Sequence, residues 1–344
     1  MNRINRRDFG ILTGGLVASA MLPAAARAAG RLVVGTWGGD YQNLQQINIA
    51  DGALKQNGLQ VIYDPANDTV RKAKLLAERR LPRGSMDIAC LTRQGSYEMF
   101  AHGLVEALDE IKVPNLGKVL PFIRTEYGIP HIYTGRVILY NPKMVNPAPT
   151  SYADLWNPEY AGRIGVIDIQ YQTTIESAAM IAGGGPSNYE PGKAKLLELK
   201  KQGVKIYPTN EAMAQALKSG EVVMCIMWNA RGYMWKKAGL DIDIAVPKEG
   251  IALYLSDMCV PKNAPNKDAA YRYLNAMLEQ APQMAFAAQM GYAPTNSEVK
   301  LDPDLASKVD YTPEQREKFL LPDLGYLAKA DAGLQDWWNK VFKA

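Results

Sequence analysis

The sequence predicts an α/β protein of two lobes. Through most of its 344 residues, short apolar runs alternate with stretches of helical periodicity, a pattern typical of mostly parallel, doubly wound sheets. Two extended runs, Ile132 to Tyr140 and Ile251 to Val260, lack a helical period, as expected for strands that pass from one lobe to the other. The chain is also long enough to bury two domain-sized cores.

The first lobe begins with three pairs of a strand and a helix. Each strand is a short apolar run, and each following helix has apolar residues at a spacing of three to four. The predicted strands are Leu32 to Thr36, Leu59 to Tyr63 and Met86 to Leu91, and the helices are residues 41–57, Val70 to Arg80 and Gly95 to His102.

The second lobe repeats this alternation. Its strands are again short and apolar, and its helices again follow a period of 3.6 residues. The predicted strands are Ile164 to Ile167, Val204 to Tyr207, Val222 to Trp228 and Ile242 to Val246, and the helices are residues 173–182, 191–202, 210–218 and 230–238.

Two crossings between the lobes imply a hinge. We expect residues 29–134 to form the N-terminal part of lobe I and residues 135–250 to form lobe II. Residues 251–344 return through the hinge, complete lobe I and supply the C-terminal helices, which we expect to pack over one lobe. The return to lobe I is predicted by a core-facing stripe at helical spacing, made of Ala269, Ala270, Tyr273, Leu274, Met277 and Leu278.

Residues 1–28 are typical of an export signal. Arg6 and Arg7 precede a polar residue, Phe9 and a run of about a dozen apolar residues, which is shorter than the roughly 20 that span a bilayer. Ala26-Arg27-Ala28 is a site that a signal peptidase could cut. The paired arginines resemble a twin-arginine signal, and an ordinary secretory signal is the alternative. In both cases we expect a periplasmic protein.

The charge of the chain argues against a nucleic-acid partner. The formal net charge is +4, but the first 28 residues contain four arginines against one acid. The remainder carries 35 basic and 34 acidic side chains. A protein that binds the phosphate backbone needs a basic excess gathered on one face.

Catalytic and metal-binding motifs are not visible. The sequence contains no GxSxG, HExxH or CxxC motif, and His102 and His131 are its two histidines. We therefore expect no enzyme activity, no metal and no cofactor. Cys90, Cys225 and Cys259 lie in apolar runs and are expected to be buried thiols, with a disulfide between Cys225 and Cys259 as the alternative.

Aromatic residues stand at the ends of predicted elements. Trp37 follows the first strand within Gly35-Thr36-Trp37-Gly38-Gly39-Asp40, the position where α/β sheets bind ligands. Trp228 ends a predicted strand, Tyr254 lies in the second crossing run, and Tyr292 follows Gly291. Aromatic faces bind a cationic or apolar ligand, whereas core packing is the alternative explanation for each residue.

At these positions the chain resembles the periplasmic solute-binding proteins of ABC transporters, in particular the spermidine/putrescine-binding group. The most specific stretches are residues 150–162 (TSYADLWNPEYAG), Met227-Trp228-Asn229, Val246 to Gly250, Val260 to Ala264 and Gly291-Tyr292. The resemblance implies the two-lobed type II periplasmic-binding-protein fold with a ligand cleft between the lobes. It also implies a monomer that binds a small amine-containing solute and delivers it to membrane permease subunits.

The resemblance further implies the residues of the cleft. Trp37, Trp228, Tyr254 and Tyr292 match the aromatic positions that enclose a polyamine, with Tyr254 where the family has Trp. Thr92 matches the family, and Arg93 beside it falls where the family has a polar or aromatic cleft residue. The family's carboxylates are retained only at Asp168. Gly39 replaces one, with Asp40 beside it, and Ser256 replaces another, with Asp257 beside it; a third maps near Gln172 or Thr173.

Two arginines are added at cleft positions, Arg93 and Arg231. A desolvated polycation needs carboxylates, whereas arginine binds carboxylate or phosphonate groups with two hydrogen bonds. The sequence therefore predicts either a polyamine or a smaller amino-acid-like zwitterion or organic acid. Alternatively, both arginines face solvent or pair with acids such as Glu98. A different class of function, a periplasmic enzyme or cofactor carrier exported in the folded state, is the alternative to transport.

Overall fold

The computed structural model describes residues 30–55 and 58–344. The predicted signal at residues 1–28 lies outside the described residues. The strands are β1 (Arg31–Thr36), β2 (Gln60–Pro65), β3 (Ile88–Thr92), β4 (Ile129–Tyr140), β5 (Ile164–Ile167), β6 (Lys205–Tyr207), β7 (Met224–Trp228), β8 (Asp243–Ala245), β9 (Ile251–Cys259) and β10 (Phe319–Leu320).

Twelve α-helices alternate with these strands or follow them in the described part of the chain. None of those in the described part has the length and apolar character needed to span a bilayer. They are α1 (Gly39–Gln45), α2 (Asp68–Glu78), α3 (Arg93–Ala101), α4 (Tyr171–Met180), α5 (Glu190–Lys201), α6 (Asn210–Ser219), α7 (Asn229–Lys237), α8 (Lys267–Met277), α9 (Gln280–Met290), α10 (Pro303–Val309), α11 (Pro313–Arg316) and α12 (Leu324–Trp337).

Local capping explains where several helices begin. Asn67, Thr92 and Thr209 each accept a hydrogen bond from a backbone N–H in the first turn of α2, α3 and α6, respectively. The predicted helix over residues 41–57 differs most from the structure. It is α-helical as α1 and then widens into a π-helical segment, Gln46–Ala53, and residues 56 and 57 lie outside the described residues.

Lobe I is built on one half of the sheet. β1 lies between β2 and β3 and is parallel to both, and β3 pairs antiparallel with β9. One apolar core joins Leu32 and Val34 of β1 with Tyr273 of α8 and Phe286 of α9. Because α8 and α9 follow β9 in the chain, the core of lobe I is assembled from two separate segments.

The strand β4 carries the sheet into lobe II. Up to Gly135 it pairs with β9, and from Arg136 it pairs with β7. At Gly135 a Cβ atom would lie 2.3 Å from Cγ2 of Ile251 and 2.9 Å from the hydroxyl oxygen of Tyr311. Only glycine allows the two crossing strands and Tyr311 to approach this closely.

Lobe II is built on the other half of the sheet. β7 pairs antiparallel with β4 and parallel with β5, and β6 follows β5 at the edge. Leu327 and Leu334 of α12 lie in the lobe II core together with Leu155 and Leu196. Since α12 also contacts α3 of lobe I, the expectation that the C-terminal helices pack over a single lobe is corrected: this helix contacts both.

The cysteines are buried free thiols. Cys90, Cys225 and Cys259 are fully buried, and none of these three described residues forms a disulfide. Burial raises the pKa of the Cys90 thiol to about 12. The alternative disulfide between Cys225 and Cys259 is not formed, because Cys225 lies on β7 in lobe II and Cys259 at the end of β9 in lobe I.

Candidate functional site

A cavity of about 740 Å³, which we call the cleft, lies between the two lobes. It is formed where strands β1, β3 and β7 end and helices α1, α3 and α7 begin, the position at which α/β sheets bind ligands. Asp168, Ser256 and Asp257 do not line it. The sequence-predicted site residues that do are Trp37, Asp40, Thr92, Arg93, Trp228, Arg231, Tyr254 and Tyr292.

Trp228 and Tyr254 form the centre of the aromatic lining. Their rings are stacked with centroids 4.7 Å apart and an angle of 30° between their planes. Trp228 comes from the end of β7 in lobe II, whereas Tyr254 lies on the crossing strand β9. The indole Nε1 of Trp228 is buried and has no hydrogen-bond partner among the described residues. This N–H is therefore an unsatisfied donor beside the cleft.

Trp37 is held rigidly from behind. Its indole Nε1 donates to Oγ of Ser256 at 3.2 Å, and the guanidinium of Arg71 lies 4.2 Å from the centre of its ring. Arg71 is 1% exposed and donates to the carbonyl oxygens of Cys90 at 2.6 Å and Thr36 at 2.5 Å. Burial lowers the pKa of Arg71. One face of Trp37 is thus occupied by a buried cation.

Tyr292 closes the aromatic lining from lobe I. It follows Gly291, which ends α9 in a left-handed conformation with φ 71°. A Cβ atom at Gly291 would lie 2.7 Å from Cδ1 of Tyr233, so glycine is required both for the turn and for the contact. Burial raises the pKa of Tyr254 and of Tyr292, so both phenols are neutral hydrogen-bond donors at physiological pH.

Arg93 lines the cleft but its charge is already neutralised. Its Nε and Nη2 donate to the carboxylate of Asp257 at 2.6 and 2.9 Å, and Nη2 also donates to the carbonyl oxygen of Ile123 at 2.8 Å. Arg93 is 7% exposed and Asp257 is fully buried. The pair holds β9 to α3, so neither residue is a free charge for a ligand. Glu98 instead pairs with Lys72 at 2.6 Å.

Two further predicted acid positions lie outside the cleft. Ser256 is fully buried and acts behind Trp37. Asp168 accepts hydrogen bonds from Nε1 of Trp338 at 2.7 Å and from Nζ of Lys343 at 2.8 Å. Burial raises the pKa of Asp168, but the bonds from Lys343 and Trp338 outweigh it and leave the pKa below its usual value. Asp168 therefore anchors the C-terminus to lobe II.

Asp40 and Asp68 are the carboxylates that line the cleft from lobe I. Asp40 lies exposed in the first turn of α1. Oδ1 of Asp68 accepts from the backbone N–H of Thr92 at 2.8 Å, and its Oδ2 lies 3.7 Å from Nζ of Lys72. Both could hold an ammonium group.

Arg231 is the least neutralised cation of the lobe II wall. Its nearest paired carboxylate, Glu211, is 73% exposed and lies 4.0 Å from Nη1. The Nε of Arg231 has no hydrogen-bond partner among the described residues. The other lining arginine of the lobe II wall, Arg136, is paired with the buried Glu176. Arg231 is therefore placed to bind a ligand anion.

The lobes already touch across one side of the cleft. Nε2 of Gln172, at the start of α4, donates to Oε1 of Gln94 on α3 at 3.2 Å. Gln172 also donates to Asp331 of α12, which accepts from the hydroxyl of Tyr171 at 2.5 Å. With the Trp228 and Tyr254 stack, this bridge indicates a cleft whose two walls are brought together.

The sequence analysis missed Asp68, Arg136 and Gln94, and it named Gln172 only as a position near one of the family's carboxylates. Asp68 could have been found, because it begins a helix directly after a strand that ends at this edge of the sheet. The side chains of Arg136 and of the two glutamines have no local signal, since their positions depend on how the lobes meet. No group of three or more metal-ligating side chains is found in the described part of the chain.

Comparisons with known proteins show that the chain is similar to solute-binding proteins. The sequence model of the bacterial extracellular solute-binding proteins matches residues 48–313. The chain is 29% identical over 301 residues to the spermidine/putrescine-binding periplasmic protein of Escherichia coli K12, covering 83% of this chain and 81% of that protein.

Two proteins named for gamma-aminobutyric acid are also similar. Identity is 25% over 286 residues to the gamma-aminobutyric acid-binding protein of Pseudomonas aeruginosa, with 79% of each chain covered. The solved structure of the Atu4243-GABA receptor superposes with a TM-score of 0.81 at 24% identity, covering 92% of this chain and 98% of that one. The predicted two-lobed type II fold is thereby confirmed.

Proposed function

This chain belongs to the family of bacterial extracellular solute-binding proteins, and from that premise we propose that it is the periplasmic substrate-binding component of an ABC importer for a small amino-acid-like zwitterion. The observation that carries the ligand class is the distribution of charge in the cleft. Arg231 lines a cleft with aromatic walls, and the carboxylate paired with it, that of Glu211, is 73% exposed and 4.0 Å away. The acids predicted at 168 and 257 are engaged elsewhere.

The zwitterion has a partner for each end. Its carboxylate is held by the guanidinium of Arg231 and the indole N–H of Trp228. Its ammonium lies against the aromatic faces and toward Asp40 or Asp68. The name of the Pseudomonas aeruginosa relative, a gamma-aminobutyric acid-binding protein, supports a ligand with both groups.

A polyamine is the second candidate. It is supported by the name of the Escherichia coli relative and by the two carboxylates in the lobe I wall. Against it stand two cations, Arg231 in the lobe II wall and Arg71 behind Trp37. Burying a dication near these charges costs several kcal/mol unless further carboxylates offset it.

Binding is coupled to closure of the lobes. A ligand that contacts Trp228 of lobe II and Trp37 of lobe I stabilises the closed form more than the open one, and the difference in affinity shifts the population. We propose lobe boundaries near residues 134 and 250, supported by the change of partner of β4 after Gly135. The remaining proposals are a monomer that docks to membrane permease subunits, and export through the signal at residues 1–28.

The test is isothermal titration of the purified protein, refolded to remove any carried ligand, with gamma-aminobutyric acid and putrescine. We expect saturable binding of the zwitterion and weaker binding of putrescine. Arg231→Gln should lower the affinity for the zwitterion about 10- to 100-fold, as expected for the loss of a hydrogen bond to a charged group. The matched control, Arg272→Gln, changes an exposed arginine of α8. Putrescine binding that is unaffected by Arg231→Gln would instead support the polyamine.

The alternative of an enzyme or cofactor carrier has its own test. An absorbance scan and metal analysis of the purified protein are expected to detect neither a chromophore nor a stoichiometric metal. Either one would overturn the transport proposal in its present form.

A further inference from the structure

A second cavity, which we call the back cavity, lies behind the hinge. It has a volume of about 630 Å³ and is lined by Val137 of β4, by α7 and by residues 307–315. Arg136 lines the cleft, whereas the next residue, Val137, lines the back cavity. Because successive side chains of a strand point to opposite faces, the two cavities lie on opposite sides of the crossing strand.

Helix α7 separates the two cavities. Arg231 and Met234 line the cleft, whereas Tyr233, Lys236 and Lys237 line the back cavity. The helix begins directly after Trp228. A displacement of α7 therefore changes the shape of both cavities at once.

The opposite wall of the back cavity is fixed to lobe I. Tyr311 belongs to the lobe I core, and its hydroxyl accepts a hydrogen bond from the backbone N–H of Gly135. Nδ2 of Asn229 on α7 donates to the carbonyl oxygen of Lys308 at 3.1 Å, across the boundary between the two walls. The back cavity thus lies between residues 307–315 and α7, which follows β7 of lobe II. Helix α7 is also bonded to α9 of lobe I, because the hydroxyl of Tyr233 and Nζ of Lys237 donate to the carbonyl oxygen of Ala288 at 2.9 and 3.1 Å.

The lining combines apolar surface with positive charge. Lys236 pairs with Asp243, and Lys308 pairs with Asp304 at 2.6 Å. Nζ of Lys237 lies 5.7 Å from the centre of the Tyr233 ring and donates to a backbone carbonyl at 3.1 Å, and no described carboxylate forms an ion pair with it.

The acid and the apolar residues complete the lining. Asp310, the one carboxylate among the lining residues, is paired with Arg316 at 2.8 Å. Val137, Ile244 and Val246 provide aliphatic surface. The uncompensated charge is therefore the ammonium of Lys237, beside an aromatic and aliphatic wall.

We propose that the back cavity is a second binding site, for a small anion with an apolar body, and that its occupant favours the closed form of the cleft. Rotation about the hinge that opens the cleft moves α7 toward residues 307–315 and removes the volume of the back cavity. An occupant resists this rotation. By linkage, a closed cleft binds the occupant more tightly in return.

Binding is tested by titration with benzoate, which carries both the charge and the apolar body. Acetate lacks the body and benzamide lacks the charge. We expect saturable benzoate binding, with both controls weaker by at least about fivefold. Lys237→Glu should abolish it, and Lys237→Gln should weaken it about fivefold. The matched control is Lys201→Gln. Lys201 is exposed in the last turn of α5, just as Lys237 lies in the last turn of α7, and its replacement should leave benzoate binding unchanged.

Two results would overturn the site. The first is benzoate binding that is absent or indifferent to both Lys237 variants. The second is binding that is lost in Arg231→Gln, since that result would place the carboxylate of benzoate against Arg231 in the cleft.

The coupling to closure is tested by small-angle X-ray scattering with benzoate alone. We expect the radius of gyration to fall on addition of benzoate in the parent protein and to stay constant in Lys237→Glu. An unchanged or larger radius in the parent protein would contradict the coupling. The coupling to closure rests on the proposed function, but neither the benzoate titration nor the scattering measurement needs a ligand in the cleft. A cleft that binds no zwitterion or amine would overturn the proposed function while leaving the benzoate result intact.

Discussion

At the residue scale, the cleft is defined by which charged side chains are already neutralised. Arg93 and Asp257 are paired within the protein, and so are Arg136 and Glu176. Of the other charged residues that line the cleft, Asp40 forms no ion pair with a described residue, Arg231 lies 4.0 Å from the exposed Glu211, and Asp68 lies 3.7 Å from Nζ of Lys72. The specificity of the site therefore depends on a few side chains, although many more line it.

Trp228 is expected to be essential for binding and dispensable for folding. Trp228→Ala removes the ring that stacks on Tyr254 and one indole donor, so affinity measured by titration should fall by at least about 100-fold. Circular dichroism should be unchanged. The control is Trp337→Ala, a tryptophan of α12 that does not line the cleft. Equal affinity in the two variants would assign Trp228 to the core instead.

Arg93 is expected to act on stability more than on affinity. Arg93→Ala leaves the buried Asp257 without its partner, which should lower the free energy of unfolding by about 3 to 5 kcal/mol in chemical denaturation. Replacing both residues, with Arg93→Met and Asp257→Leu, should recover part of this loss.

The control for Arg93 is an exposed pair. Lys205→Ala breaks the ion pair between Lys205 and Glu221, whose side chains are 37% and 50% exposed. It should leave the free energy of unfolding almost unchanged, because water screens an exposed pair. If Arg93→Ala left stability intact and reduced affinity alone, Arg93 would be a ligand-binding residue as the sequence suggested.

At the element scale, β4 is the strand that joins lobe I to the hinge. Its His131 is 1% exposed and contacts Tyr41 of α1 and Phe286 of α9 through its ring. Burial lowers the pKa of His131 to about 3. The histidine is therefore neutral in the folded protein at every pH above that value.

The pH dependence of stability follows from this difference in pKa. In the unfolded chain a histidine binds a proton near pH 6.5, so between about 6.5 and 3 the unfolded state binds more protons than the folded state. Stability should fall with decreasing pH in this window, by up to about 1.4 kcal/mol per pH unit from this residue. Urea denaturation of His131→Gln should show a shallower dependence. Parallel profiles for the two proteins would contradict the assignment.

At the scale of the whole molecule, the proposed function depends on closure of the two lobes about the hinge. The chain crosses between the lobes at β4 and β9, and a Cβ atom at Gly135 of β4 would lie 2.3 Å from Ile251 of β9. Contacts across the cleft determine how much closure contributes to affinity, because a ligand must stabilise the closed form over the open one.

Gln94→Ala tests this contribution. Loss of the hydrogen bond between Gln94 and Gln172 should weaken every cleft ligand by a similar factor, about two- to tenfold, and should raise the dissociation rate in stopped-flow measurements. A loss that differs strongly between ligands would show that Gln94 contacts the ligand directly.

Much of the fold could be predicted from the sequence. The strand and helix order, the two crossings and the aromatic residues at strand ends all follow from periodicity and from which residues stand where an element ends. Ile164 to Ile167 was predicted with the bounds that the structure has. The sequence did not predict that α1 widens into a π-helix, since this widening depends on packing against the rest of lobe I.

The sequence by itself determined the order of elements, the two-lobed fold and the candidate aromatic residues, because hydrophobic periodicity and residue type at element ends are local properties. Only the tertiary structure decided which charges remain for a ligand. Arg93 and Asp257 are separated by 164 residues, and Asp168 is engaged by side chains near the C-terminus. Such pairing depends on distances between side chains that are set only when the chain folds. These distances cannot be predicted from residue types alone.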